Sequence, residues 1–358
     1  MKKLDLYIIK KFLGTFFFAI ALIISIAIIF DISEQLEDFI QKEAPLKEII
    51  VDYYLNFIPY FINLFSPLFV FISVIFFTSK MAYNSEQIAI LTSGVSFRRL
   101  MYPYFYSALF LAIFSYTLGN FVIPQANKIR YEFQKRYIWN VAHNDDRNIH
   151  KQVAPGTYIY MDSYNAQQKT GYQFTIEKFE NGKLTSKLLS EFVVFDSVNG
   201  KWQVNNYYIR HLYDNREELV RGTRLDTTLN LRPEEFTRRN EEVEALDYFE
   251  LNDYIEEQQM KGASKVVVYL VEKYKRMAFP FSTFILTLIG VSVASRKVRG
   301  GVGLHIGIGL SISFTYILFM QVSSTFAING NMNPIIAVWI PNILYLFLGI
   351  FLYKKTPK

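Results

Sequence analysis

The sequence contains no cysteine in 358 residues. That excludes disulfides, thiolate nucleophiles and thiolate metal ligands, so any domain outside the cytosol has to be held by core packing alone. Aspartate, glutamate, lysine and arginine are missing from six long apolar runs, residues 12–30, 57–79, 101–123, 277–295, 302–323 and 334–353. Ion-coupled transporters carry their coupling on ionisable groups inside such runs, and their absence argues against a secondary transporter. His305, near one end of the fifth run, reads as an interfacial histidine. The pattern GxxxxGK[ST] does not occur, which excludes ATP binding by a P-loop. No soluble stretch carries a basic stripe, so a nucleic-acid partner is not expected. His143, His150 and His211 lack metal-ligand spacing, and no nucleophile motif is present. The reading is therefore of a non-catalytic chain without a metal, and energy for any transport has to come from elsewhere.

What is abundant is apolar and aromatic surface. Hydrophobic residues make up 51% and aromatics 17% of the chain, and mean hydropathy is +0.14. Each of the six runs is about long enough to cross a bilayer. Lys2, Lys3, Lys10 and Lys11 precede the first run, which ends in Phe30-Asp31-Ile32-Ser33 without a small-residue cleavage site. It reads as a retained first span. The flanks of the first run, the 80–100 segment, the stretch Arg296-Lys297-Val298-Arg299 and Lys354, Lys355 and Lys358 are all basic. With six spans they fall on one side, which the positive-inside rule makes the cytoplasm. An acidic segment, residues 31–56, faces the other way. Pro59, Asn63 and Pro67 in the second run predict a kinked helix packed against protein.

Residues 124–276 form an insert. A helix over 125–139 leads into it, and four segments of alternating character follow: GTYIYMDSY, GYQFTIEKF, KLLSEFVVFDSV and KWQVNNYYIRHL. Asn181-Gly182 and Asn199-Gly200 separate successive segments and are hairpin signals. Short helices over 251–260 and 263–276 lead back. The expected fold is membrane α-helical, six transmembrane helices arranged three plus three, with an inserted extracytoplasmic antiparallel β domain. That domain reads as a sandwich, a jelly roll or a partly open barrel. The domains are 1–123, 124–276 and 277–358, and the protein is expected as a multi-pass membrane protein with both termini cytoplasmic.

The segment between the second and third runs, KMAYNSEQIAILTSGVSFRRL, is too polar for lipid and too patterned for a plain loop. Asn84 is placed to cap a helix starting at Ser85, with Gln87 completing a capping box. Ile88, Leu91 and Val95 recur on one face, Gly94 ends the helix, and Arg98 and Arg99 follow. Two roles fit: a surface helix resting on lipid headgroups, or an element that passes force from a partner to the two spans it joins. In the fifth run Gly303, Gly307 and Ser311 lie four apart, and Gly309 and Ser313 form a second such pair. Small residues at this spacing let helix backbones approach closely. Packing within the chain is the first reading and packing against another subunit the second.

Several stretches together resemble the lipopolysaccharide-transport permease family of the LptF/LptG type. Leu4-Asp5-Leu6-Tyr7-Ile8-Ile9-Lys10 looks like the family's opening LDxYxxK pattern. Asn84-Ser85-Glu86, Ile88-Ala89 and Ser93-Gly94-Val95-Ser96 look like its NSE…A…SGVS segment. Pro124-Gln125 and the glycine-rich start of the fifth run also fit, so the resemblance covers essentially the whole chain. It implies a permease subunit of an ABC transporter that moves lipopolysaccharide from the inner membrane to a periplasmic bridge. The assembly would contain a second permease of the same family and a dimer of a separate cytoplasmic ABC ATPase, which alone uses ATP and magnesium.

By this resemblance the ATPase would dock on Asn84, Ser85, Glu86, Ile88, Ala89, Leu91, Gly94, Arg98 and Arg99, with Glu86 pairing a basic residue of the ATPase. Spans one and five, the latter through Gly303, Gly307 and Ser311, would form lateral gates for the lipid. A jelly-roll domain would pass the lipid on. Phe57, Phe61, Phe65 and Phe69 are candidate cavity lining and equally suit a lipid-facing surface. The chain departs from the family in one respect. Where some members carry lysines at the outer end of span one, it has Asp31, Glu34, Glu37 and Asp38. With Asp31 and Glu34 at the head-group exit, three routes stay open: contact through divalent cations, a different head group, or basic contacts from the other permease. The competing reading is a membrane-anchored scaffold whose β domain binds an envelope partner.

Overall fold

An apolar run that must satisfy its own backbone in lipid has one local solution, a continuous helix. In the computed structural model, which describes residues 3–139, 147–213, 215–233, 236, 240–262, 266–295, 301–330 and 332–356, the runs take that form. Among the described residues, six helices are long and apolar enough to cross a membrane. They are α1 (Lys3–Gln41), α2 (Leu46–Tyr83), α4 (Phe97–Tyr137), α6 (Val266–Ala294), α7 (Gly301–Asn329) and α8 (Pro334–Lys355). A short α3 (Glu86–Thr92) lies between α2 and α4, and α5 (Tyr248–Met260) precedes α6. Arg296, Lys297, Arg299, Lys2, Lys358 and His143 lie outside the described residues. The chain divides into two compact units: residues 1–138, 244–249 and 267–358, and residues 139–243 with 250–266.

In the helical unit, α1 buries Ile8, Phe12, Phe16, Ile20 and Ile24, a stripe at four-residue spacing. Its other side exposes Phe18, Leu22, Ile29 and Phe30. That stripe packs with Val70, Val74, Phe77 and Met81 of α2 and Leu100, Tyr104 and Leu111 of α4. A second core joins Phe71 and Ile75 of α2 to Leu286 and Ile289 of α6, Tyr316 and Met320 of α7 and Val338 of α8. Buried polar groups tie the helices at few points. Thr78 and Tyr104 share a 2.9 Å hydrogen bond, and Asn342 accepts from Tyr316 and donates to the Ala278 carbonyl. Such bonds average about 0.6 kcal/mol inside membranes, so packing sets the arrangement. His305 is buried within this unit, and its Nδ1 lies 2.8 Å from the Ser79 hydroxyl of α2.

The third run does not stop at Pro124. A proline ring clashes with the carbonyl four residues earlier. A π-helical turn, Leu118–Val122, lies immediately before it and lets α4 continue to Tyr137. A second π-helical turn, Ile49–Tyr54, opens α2 and leaves the adjacent Tyr53 and Tyr54 both buried.

The β unit is a single antiparallel sheet of seven strands among the described residues, in the order β1-β2-β4-β5-β6-β7 with β3 beside β4. The strands are β1 (Ile149–Ala154), β2 (Thr157–Met161), β3 (Ser163–Asn165), β4 (Thr170–Glu180), β5 (Lys183–Asp196), β6 (Lys201–Leu212) and β7 (Glu217–Thr227). Asn181 and Gly182 both take positive φ, +51° and +78°, which makes a type I′ turn and sets the Glu180–Lys183 register. The β5–β6 connection is longer. Asp196 Oδ1 accepts from the Val198 amide, and Gly200 closes the loop. One face of the sheet is covered by a core of Ile159, Met161, Phe174, Val193, Trp202 and Val204, with Leu231 and Phe236 over it. The Trp202 indole donates to the Leu231 carbonyl at 2.9 Å.

Candidate functional site

Helix α3 is held between two left-handed residues, Ser85 at φ +62° and Gly94 at φ +87°. The expected capping box does not form, because Ser85 in this conformation offers no side-chain cap. Asn84 instead donates to Glu86 Oε1 at 3.1 Å. Starting at Glu86, the helix turns Gln87 inward, with Ile90 and Leu91 packed on the first core. Gln87 is 4% exposed and its Oε1 has no hydrogen-bond partner. Ile88, read on one face with Leu91, does not share its burial: it is 52% exposed, beside exposed Ala89 and Thr92. The outward surface of α3 is thus small and apolar, with Asn84, Ser85 and Ser93 at its margins.

Both flanks of α3 reach α1. Glu86 Oε2 accepts from the Tyr7 hydroxyl at 3.0 Å. Arg99 donates to both Asp5 oxygens at 2.8 Å, and Asp5 is only 3% exposed. Ser96 caps α4 by accepting from the Arg99 amide, while Arg98 is exposed. Asp5 and Tyr7 were not read as site residues from the sequence. The signal was present in the opening LDxYxxK pattern, but their partners lie 94 and 79 residues away.

The small residues of α7 separate into two faces. A Cβ on Gly309 would stand 2.5 Å from Ile75 Cδ1, and Ser313 is fully buried, so this pair packs against α2. Around Gly303 and Gly307 a Cβ would meet nothing within 4 Å, and Ser311 is exposed. Packing within the chain therefore holds for the second pair and not for Gly303, Gly307 and Ser311.

Phe57 is buried, and Phe61, Phe65 and Phe69 are half-buried. The Phe57 and Phe61 rings stack at 3.8 Å, and Phe61 and Phe69 pack on the first core. At the C-terminal end of α1, Asp31 accepts from Tyr53 at 3.1 Å and Tyr54 at 3.0 Å, whereas Glu34 is exposed. The two acids are not brought together, and Asp31 acts as a tie between α1 and α2.

The sequence reading also missed a charged cavity of about 80 Å³ in the helical unit, lined by Tyr60, Asn63, Glu244, Glu272, Lys275 and Arg276. Glu272 accepts from Arg276 Nε at 2.8 Å, and Glu244 accepts from the Tyr131 hydroxyl. Burial, reinforced by the charge of Glu272, pushes the Glu244 carboxyl up to about 7, against the pull of Lys275 and Arg130. In the β unit a separate groove of about 480 Å³ runs along Val153, Ile176, Leu188, Ile209, Leu225 and Leu229.

Comparison with known proteins adds a family to this architecture. The family described as "Lipopolysaccharide export system permease LptF/LptG" matches residues 6–355. Over 98% of both chains, the sequence is 24% identical to an uncharacterized protein of Aquifex aeolicus (strain VF5). It is 18% identical to the lipopolysaccharide export system permease protein LptG of Escherichia coli (strain K12), again over 98% of both chains. With six helices able to cross a membrane and a family match spanning nearly its whole length, this chain belongs to the LptF/LptG family of lipopolysaccharide export system permeases.

Proposed function

We propose that this chain is one permease subunit of an ABC transporter that extracts lipopolysaccharide from the inner membrane and hands it to a periplasmic bridge. The observation that carries the coupling role is the surface of α3. Ile88, Ala89 and Thr92 face outward on a helix wedged between two span-forming helices and tied to a third through Glu86. A cytoplasmic ATPase dimer docks on this surface and supplies the energy, so the chain itself binds no ATP. The basic flanks support an orientation with α3 on the cytoplasmic side and the β unit in the periplasm.

The substrate explains the apolar surfaces. Each methylene taken from lipid into water costs roughly 0.8 kcal/mol, so one acyl chain of about a dozen methylenes costs about 10 kcal/mol. A multi-acyl lipid therefore needs an apolar route. Phe57, Phe61, Phe65 and Phe69 are suited to line it between two permeases, and the open Gly303–Gly307–Ser311 face of α7 to meet the second permease at the gate. Asp31 is already held by two tyrosines, so of the two acids assigned to the head-group exit the exposed Glu34 is the one open to a head group.

Purification in mild detergent from the native membrane, followed by mass spectrometry, tests the reading. An ABC ATPase, a second permease and a bound multi-acyl glycolipid are expected. Glu86→Lys should release the ATPase and stop export while the β unit stays folded. A chain that purifies alone, or export that continues unchanged in Glu86→Lys, refutes the coupling role.

A further inference from the structure

We propose that Asp5 and Tyr7 form a strut through which movement of α3 is passed to α1. This rests on α3 being the ATPase-docking element. The two backbone positions that bracket α3, Ser85 and Gly94, are both left-handed, so α3 is a short rigid piece between two bends. A push on such a piece has no defined direction unless something ties it sideways. Ile90 and Leu91 rest on the first core, and the directional ties to α1 are those two side chains. Tyr7 holds Glu86 just ahead of the helix body, and Asp5 holds Arg99 just after it.

The geometry suits transmission of force. Asp5 is almost wholly buried and its two oxygens are both taken by one guanidinium, a fork that resists rotation as well as separation. Residues two apart point about 200° apart around a helix, so the flanks of α3 grip α1 from different sides. From Lys3, just ahead of the grip, α1 is one unbroken helix of 39 residues to Gln41, about 58 Å long in all. Further along, Asp31 holds it to α2 through Tyr53 and Tyr54. Displacing α3 pulls on Tyr7 directly through Glu86, and on Asp5 through Arg99 in the first turn of α4, so it must either carry the first turns of α1 with it or break these ties. The exposed side of α1 thus moves with the ATPase, and Asp5, Tyr7 and Arg99 are positioning residues for that movement.

The test uses the full complex of this chain, its ATPase and the second permease in nanodiscs containing lipopolysaccharide. ATPase co-purification, ATP hydrolysis and lipopolysaccharide release are measured together. For Asp5→Asn the complex should assemble and hydrolyse ATP at close to the parental rate, while lipid released per ATP falls roughly tenfold, the scale of a typical coupling between sites. The charge exchange Asp5→Arg with Arg99→Asp should recover most of the loss. Tyr7→Phe removes one hydroxyl, leaves the buried pair intact and should lower the same ratio. It decides the matter where Asp5→Asn does not accumulate. Unchanged lipid per ATP in both single variants, a fall matched by equal loss of ATP hydrolysis or of ATPase binding, or no recovery in the exchange overturns the strut. Failure of the docking reading appears separately, as a parental chain that carries no ATPase.

Discussion

Replacing glycines on the two faces of α7 separates packing inside this chain from packing against something else. Gly309→Ala sets a methyl carbon 2.5 Å from Ile75 Cδ1 and 3.6 Å from Phe71 Cε1, both on fully buried side chains. Carbon atoms rest about 3.5–4.0 Å apart, so Ile75 has to retreat by roughly 1 Å into a filled core. Overpacking of this kind costs about 1–3 kcal/mol. Alanine regains up to about 1 kcal/mol over glycine in a helix, which leaves a net loss of about 1–2 kcal/mol. Gly303→Ala and Gly307→Ala meet nothing within 4 Å and keep only the favourable term. Ile75→Val removes the clashing methyl at about 0.5–1.5 kcal/mol by itself. Combined with Gly309→Ala, it should destabilise less than the two costs summed, by about 1 kcal/mol. Thermal melts of the purified chain in detergent, followed by far-ultraviolet circular dichroism, read all five variants. A Gly307→Ala midpoint as low as that of Gly309→Ala, or strict additivity of Gly309→Ala with Ile75→Val, refutes the assignment of the two faces.

Two further outcomes follow from the polar interior. The Glu244 carboxyl sits near 7 in the folded chain against its usual 4.5, so the folded state holds more protons than the unfolded chain between those values. Stability then falls as pH rises from about 4.5 to 7 and is level above. Glu244→Gln should flatten that slope in a pH series of melts, and parallel curves for the two proteins would contradict it. In the β unit, Trp202→Phe leaves the Leu231 carbonyl without its donor in a buried position. It should cost about 1–3 kcal/mol from the unpaired group, with further loss from the smaller ring; denaturant unfolding monitored on the β unit checks this.

What could be read from the sequence was set by local physics. Lipid tolerates only long apolar helices, so the runs around 12–30 or 334–353 state their structure in composition alone. The Asn181-Gly182 turn was equally open, because few residue pairs accept two successive positive φ values. Where tertiary context decides, the sequence pattern misled or was silent. Spacing placed Ile88 with Leu91, yet the left-handed Ser85 shifts the start of α3 and turns Gln87 inward instead. The four-residue repeat of small residues announced close approach twice over. It could not say that Gly309 meets α2 while a Cβ on Gly307 meets nothing within 4 Å among the described residues, since the two differ by two positions on a helix of uniform hydropathy.

The charged residues show the same limit from another side. Acids after span one looked like a solvated, substrate-facing cluster because sequence shows their number and not their partners. Asp31 is in fact satisfied by two tyrosines that a π-helical turn places together, an arrangement with no compositional trace. Asp5 carried no distinguishing feature beyond its place in a short opening pattern, and its meaning depends on Arg99, 94 residues on. Glu244, Glu272, Lys275 and Arg276 sit in or beside a helix that reads, by composition, as the approach to span four. In each case the functional content lies in a pairing between distant segments. Burial enforces such a pairing, because an unpaired carboxylate inside this bundle would cost more than the bond that satisfies it. Taken together, α1 is fixed by carboxylates at two points, Asp5 to the first turn of α4 and Asp31 to α2, with one apolar side buried and the other free between them. A helix held in this way can tilt about those points without losing its register, which is the property a gate driven from one end requires.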